Sequence, residues 1–399
     1  MTLNAYDRAH FWLFEQAFPF WSAHGMDRAH GGYVEQLRLD ATNADVDFKR
    51  VRVIARQVYS FSHAAILGFA NAAEPARQGF EYLTKFAWLG PHKGWARQLW
   101  RDGQVKDPTS DLYDLAFVLF ACGWYQRLSG EAIAGQWALR TLDFIESHMR
   151  FEGDVGFKHE QPARAPRLQN PHMHLLEAAL VNFEVSGNQR FLKLADEIVG
   201  LFASRFFDPA TRTLGEYYDD HWRRAAAELG RSIEPGHHFE WAWILAAYQR
   251  LSGNVVARDI EQLVAFAEAH GVDRSTGNVF NTVRDDGTII DGNCRVWPNT
   301  ERLQAAVAMF EVFDVDPRPI FDQSTRFIFE RFLTPAPAGT WIDRTERDGQ
   351  PSINQIPTST LYHLVIAFSE MLRVRGEVER KFGPMPESKV PSKAATHLF

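Results

Sequence analysis

Cysteine is almost missing from this chain. Only Cys122 and Cys294 occur in 399 residues, too few for a disulfide framework and with no CxxC pair to open a zinc site, which points to a reducing compartment. Positive charge is not in surplus either. Against 50 Asp and Glu stand 43 Lys and Arg, a formal net charge of -7, and a surface without clustered cations suits neither nucleic acid nor an anionic membrane. No apolar run reaches the ~18 residues that would mark a membrane-spanning helix. The N-terminal stretch MTLNAYDRAHFWLFEQAF sets an acid and polar side chains where the apolar centre of a signal peptide would run. These absences predict a cytoplasmic globular protein, monomer or homodimer, with no nucleic-acid and no membrane partner, acting on a small neutral or weakly charged ligand.

Apolar and aromatic residues are plentiful. At 45% hydrophobic and 13% aromatic, the chain can bury a large core, although its length exceeds that of an ordinary domain. FSHAAILGFANAA, DLYDLAFVLFACGWYQRLSG, HMHLLEAALVNFEVSG, EWAWILAAYQRLSG, ERLQAAVAMFEVF and STLYHLVIAFSEMLRV are rich in Ala, Leu and aromatics, as helices buried on most sides should be. Between them lie amphipathic segments such as QGFEYLTKFAWL and NQRFLKLADEIVGLFASRF, which read as outer helices. Ser129-Gly130, Ser186-Gly187 and Ser252-Gly253 are helix stops, because Gly takes the left-handed conformation at C′.

The spacing is regular. Polar residues near the start of each inner helix fall at Arg56, Tyr113, His174, His237, Glu301 and His363, with separations of 57, 61, 63, 64 and 62. Units of about 60 residues hold two helices each, and six such hairpins in a ring close an all-α (α/α)6 barrel around one pocket. The marked residues then converge. Residues 1–375 form this single domain; residues 376–399, rich in Pro, Ser and Lys, are expected to be a C-terminal tail.

Each polar position has an ordinary reading. A histidine at a helix start is commonly a cap or a hydrogen-bonded core residue. Yet His174 recurs with Glu177, and His237 with Glu240, three residues on and on one helix face in corresponding repeats. Trp297 is a core aromatic unless it lines a site. Arg52 reads as part of a salt-bridged stripe, whereas Arg56, flanked by Ala55, Val58, Tyr59 and Phe61, needs a partner or a ligand oxygen.

The segments EPGHHFEWAWIL, NPHMHLLEAAL, ARQVYSFSHAAI, RVWPNTERLQAA and PTSTLYHL together resemble the N-acylglucosamine 2-epimerase superfamily, which includes cellobiose 2-epimerases, sulfoquinovose isomerase and mannose isomerases. The resemblance covers essentially the whole repeat region. It implies an (α/α)6 barrel, an unphosphorylated monosaccharide substrate, and no metal or other cofactor. It also implies that His237 and His363 are the acid/base pair, that Arg56 and Glu240 share the catalytic site, and that Tyr113, Asn170, His174, Trp297 and Glu301 contact substrate. The epimerase branches read nearer to GHDIE and WW-x-QAE. Gly236-His237-His238-Phe239-Glu240 and Trp297-Pro298-Asn299-Thr300-Glu301 depart from both, toward the mannose isomerase branch.

That branch implies aldose–ketose isomerisation of D-mannose and D-fructose, with D-lyxose and D-xylulose as a second pair, through a cis-enediolate. Histidine suits both proton transfers because its pKa lies near working pH, and Arg56 suits the enediolate oxygens. Glu240 is expected to orient His237 or hold a sugar hydroxyl. A sugar 2-epimerase is the alternative. A glycoside hydrolase would need two facing carboxylates where the strongest positions carry histidine. A sugar-binding protein would not need both histidines.

Overall fold

The segments rich in Ala, Leu and aromatics fold into six inner helices: Val51–Ile66, Leu112–Ser129, Asn170–Ser186, Pro235–Ser252, Val296–Phe313 and Leu361–Phe382. Each packs on the next and the sixth packs back on the first, closing a ring. The fourth buries Pro235 through Ala242 without a break, so it has no solvent face in its first two turns and only a position inside the ring accommodates it. The structure is a computed structural model and describes residues 3–386.

Five outer helices, Ala73–Phe86, Ala132–Phe144, Gln189–Leu201, Ala257–His270 and Arg318–Ile328, each pack on the inner helix that precedes them. The sixth outer place is taken from the other end of the chain: Ala5–Phe11 packs on Leu361–Phe382, with Tyr6 fully buried and Arg375 Nη1 2.9 Å from Asp7 Oδ1. This is the (α/α)6 barrel that the spacing predicts, closed by its first and last helices. The boundary expected after residue 375 falls inside the last helix. Its apolar side continues through the buried Val374 and Val378, and Arg375 Nε donates to Glu379 at 2.9 Å. The Pro and Ser that suggested a tail lie beyond residue 382, and Glu377, Arg380 and Lys381 are the exposed face of the final turns. Residues 387–399, the rest of that expected tail, lie outside the described residues.

Gly130, Gly187 and Gly253 end their helices at φ of 69°, 67° and 78°, as the Ser-Gly junctions predict. The loops that lead into the inner helices carry short antiparallel strands that the all-helical reading did not contain. Phe48–Arg50 pairs with Gln98–Trp100, Gln36–Arg38 with Gln355–Pro357, and Ile289–Arg295 with both Phe280–Arg284 and Arg344–Thr345. Runs this short show little alternation in a sequence.

A repeated device fixes the loops to the barrel. After outer helices the chain turns tightly, with bridged residues at Arg150 and Phe157, at Phe207 and Leu214, and at Val272 and Val279. The N–H of the second residue in each pair donates to a polar side chain on the next inner helix. Phe157 donates to His172 Nε2 at 3.0 Å, Leu214 to His238 Nε2 at 3.1 Å, and Val279 to Asn299 Oδ1 at 3.0 Å. His172 Nδ1 and Asn299 Nδ2 then donate to the carbonyls of Leu168 and Arg295, one turn back, at 3.0 and 2.7 Å. Burial holds His172 and His238 down, at pKa values of about 3 and about 4, so they serve as neutral pins. Of the two adjacent histidines on the fourth inner helix, His238 is structural.

Candidate active site

The first two turns of all six inner helices surround a cavity of about 490 Å³. Arg56, Tyr113, Asn170, His174, His237, Glu240, Trp297 and His363 all line it. Of the residues expected at the site, only Glu301 does not; it lies fully buried, with its Oε1 2.7 Å from His363 Nδ1.

His237 is the third residue of its helix. Its Nδ1 lies 2.9 Å from Glu216 Oε2, and Gln169 Nε2 donates to the same carboxylate at 2.8 Å. Gln169 is held in turn by Trp241 Nε1, 2.7 Å from its Oε1. Burial pushes the His237 imidazole down, but the carboxylates of Glu216 and Glu234 outweigh it and hold the pKa at about 9. His237 is therefore charged at neutral pH. Glu216 was not singled out in the sequence, since it sits on a loop 21 residues before its partner, outside any helical spacing. Glu240 does not take the place at Nδ1 that the sequence reading allowed it. Its Oε1 lies 3.8 Å from His174 Nδ1 instead, and burial raises its pKa to about 7.

The second ring is in the opposite state. Burial, reinforced by the charge of Arg56, pushes His363 well below the ordinary imidazole value. Burial and the neighbouring Glu240 and Glu177 push Glu301 well above the usual carboxylate range. His363 is neutral, and both histidines keep Nε2 as the ring nitrogen not bound to a glutamate. Trp297 lies between them, its ring 5.0 Å from that of His237 and 5.8 Å from that of His363. Gly236 makes room for it: a Cβ there would stand 2.5 Å from the indole, a contact that would move the ring.

Arg56 Nη2 donates to Tyr113 Oη at 2.6 Å, its guanidinium carbon is 4.1 Å from the Phe117 ring centre, and its Nε is buried without a partner among the described residues. It rests on aromatic faces, with its charge left for a ligand. Arg52 is salt-bridged as expected, 2.7 Å from Asp114. Asn170 Oδ1 is likewise buried with no partner among the described residues. His174 Nδ1 lies 3.1 Å from Glu177 Oε2, the one H-x-x-E pair that meets within its own helix. Tyr362 Oη donates to both Glu177 oxygens at 2.7 and 2.8 Å.

Three groups have donor atoms close enough to hold a cation: His174, Glu177 and Glu240; Glu216, Glu234 and His237; and Glu240, Glu301 and His363. Most of these atoms already hydrogen-bond one another, and a metal would have to displace those bonds.

Residues 31–367 match the family described as N-acylglucosamine 2-epimerase (GlcNAc 2-epimerase). The chain belongs to this family. It is similar to the mannose-6-phosphate isomerase of Rhizobium meliloti (strain 1021), 32% identical with 90% of this chain and 95% of that one covered. It is also similar to the D-mannose isomerase of Thermobifida fusca, 24% identical over 77% of this chain and 84% of the other. The solved structure of cellobiose 2-epimerase from Bacillus thermoamylovorans B4167 superposes with a TM-score of 0.83, at 20% identity, over 92% of this chain and 98% of that chain. The chain is thus a sugar isomerase or epimerase, and among its described residues no helix is long and apolar enough to cross a membrane.

Proposed function

We propose that the protein is an aldose–ketose isomerase that interconverts D-mannose and D-fructose. The observation that carries the acid/base chemistry is a pair of histidines on one cavity, each with Nδ1 on a glutamate: Glu216 and Glu234 raise His237 to about 9 against burial, which suits an acid, and burial and Arg56 push His363 down, which suits a base. The departures of Gly236–Glu240 and Trp297–Glu301 from the epimerase motifs favour isomerisation. Environments that push paired groups apart mark acid and base roles.

In the reaction His237 gives its proton to the ring oxygen as the C1–O5 bond breaks, and its ring then takes up the proton that the anomeric hydroxyl releases, which leaves the open aldehyde and restores the charged His237. His363 takes the C2 proton. The enediolate oxygens lie against Arg56, whose charge is permanent and whose Nε has no protein partner. His363 then returns the proton to C1 while the O2 hydroxyl proton passes to O1, so the atoms of aldose and ketose balance. Glu301 positions His363, and Asn170, Tyr113 and Trp297 hold the sugar. The same two rings, one neutral and one charged, also suit removal of the C2 proton on one face and its return on the other, which is epimerisation. Incubation with D-mannose separates the readings: D-fructose supports isomerisation, and D-glucose alone overturns it in favour of the epimerase. The reaction is proposed to need no metal. Activity unchanged after exhaustive chelation supports that; activity lost and restored by a divalent cation overturns it.

A further inference from the structure

Three carboxylates line the cavity, those of Glu234, Glu240 and Asp343. Two of them face a protein partner. Asp343 Oδ1 accepts from Thr360 at 2.5 Å and its Oδ2 stands 3.6 Å from Arg344 Nε, and Glu240 Oε1 lies 3.8 Å from His174 Nδ1. Glu234 is placed differently. It is the N-cap of the fourth inner helix, and His237 is the third residue inside that helix, the spacing at which a capping box would tie the two together. Here the box is left open. The Glu234 side chain makes no cap hydrogen bond, and the Glu234 N–H, which a side chain at the third position would take, donates to Glu216 Oε1 at 3.3 Å instead. The carboxylate therefore stays in the cavity wall, with an oxygen within 4.8 Å of both a His237 ring nitrogen and a Glu216 oxygen. Burial pushes it above the usual carboxylate range, against the charges of His237 and Arg295. Opening a pyranose needs two proton transfers at one carbon, one to O5 and one from the anomeric O1. A single ring nitrogen cannot serve both oxygens at once, so the acid needs a base within a few ångströms. Glu234 stands at that separation from His237. Moving the two protons also turns a buried charged pair into a neutral one, the direction that burial favours.

We infer that Glu234 is a further catalytic residue: its carboxylate takes the proton of the anomeric hydroxyl while His237 protonates O5, and then passes that proton to His237. The O1–H and C1–O5 bonds break, the O5–H bond and the C1–O1 double bond form, and both side chains return to their starting charge. This rests on the reading of the cavity as a sugar isomerase site and gives the route by which His237 recovers its proton.

The test reads ring opening by itself, as the rate at which the two anomers interconvert in proton NMR saturation transfer. The substrates are D-mannose and 2-deoxy-D-glucose, which opens its ring but lacks the O2 that an enediolate needs. The wild type should speed the interconversion of at least one of them. Glu234→Gln should slow that rate by the ~10²- to 10⁴-fold that a general base contributes, with Glu234→Asp between the two. Glu234 also helps to raise His237, so Glu234→Gln could act only by lowering that pKa. A loss of this kind would grow with pH and disappear at pH 6, where His237 is charged in either protein; the loss of a base should persist there. No acceleration by the wild type overturns the inference, as does an unchanged rate in Glu234→Gln or a loss that disappears at pH 6. If D-mannose yields no D-fructose, the isomerase reading fails, and anomer interconversion still judges Glu234 because it needs no ketose.

Discussion

The barrel has two mouths, and the same residue types behave differently in each. At the opposite ends of the inner helices lies a second cavity of about 250 Å³, bounded by Phe120, Trp124, Trp243, Ile366 and His63. Its charged groups answer one another. Glu370 accepts from Trp243 Nε1 at 3.1 Å and from Arg373 at 2.9 and 2.7 Å, and Arg373 also reaches Glu311 at 2.8 Å. Trp124 Nε1 is the exception, buried without a partner. In the mouth that holds the candidate active site, Arg56 Nε, Asn170 Oδ1 and Arg295 Nε are all buried with no hydrogen-bond partner among the described residues. The histidines sharpen the contrast. His63, hydrogen-bonded to Tyr59 Oη at 2.9 Å and packed 4.3 Å from the Trp124 ring, is pushed by burial to about 4. His237, no less buried, is held at about 9 because a carboxylate meets its Nδ1. Burial alone pushes imidazole down; only a carboxylate that itself stays low, as Glu216 does beside His237, reverses that, whereas His363 beside the raised Glu301 remains low.

The largest effect that would break this comparison is on turnover. His363→Asn should abolish conversion of mannose, and exchange of the C2 hydrogen with deuterated solvent, by the ~10²- to 10⁴-fold that acid/base groups contribute. His237→Asn should be slow on the closed pyranose yet keep part of its exchange on an open-chain ketose, which already presents the carbonyl. His63→Asn, in the other mouth, should leave mannose turnover near wild type. If His237→Asn abolishes exchange and His363→Asn keeps it, the two roles are reversed.

Packing is the next test. Trp124→Ala removes an indole that is 8% exposed and should cost about 3 to 5 kcal/mol of stability by chemical denaturation. Its kcat/KM on mannose should stay close to wild type, because the lost contacts belong to the other mouth. A loss of kcat/KM as large as that of the active-site variants would show that the mouths are coupled.

Two smaller effects concern pH. If protonated His237 is the acid, activity falls as pH rises through about 9. Glu216→Gln removes the largest force raising that pKa, so the alkaline limb should move toward neutrality in a pH–rate profile. An unmoved limb assigns it to another group. The stability contributions of His237 and His63 have opposite signs. His237, raised in the fold, contributes stability that is complete below its ordinary value and is lost as pH climbs toward about 9. His63, lowered from 6.5 to about 4, contributes stability that is complete above 6.5 and is lost as pH falls toward about 4. Thermal unfolding of His63→Gln should therefore show a shallower acid loss than wild type, while the alkaline side keeps its slope.

Local chemistry made much of this legible in the sequence. The apolar helices, their Ser-Gly stops and the even spacing of Arg56, Tyr113, His174, His237, Glu301 and His363 follow from one repeated unit. A unit that buries a helix on most sides has few ways to close, so the ring was implied. Eight of the nine expected site residues line the cavity. The ninth, Glu301, is fully buried behind that lining against His363 Nδ1, a contact between two helices that spacing along one does not encode.

What the sequence by itself determined is therefore the barrel and the identity of the rings at its mouth. Only the tertiary structure decided which ring carries the proton. His237 and Glu240 share a helix face in the sequence, but Nδ1 of His237 meets Glu216, on a separate loop, and His238 beside it accepts the backbone N–H of Leu214. A helix period relates residues along one element, whereas a pKa depends on every charge and every layer of burial that the rest of the chain brings within a few ångströms. The same holds for Glu234. Its carboxylate stands within 4.8 Å of a Glu216 oxygen only because that loop returns to the start of the fourth inner helix.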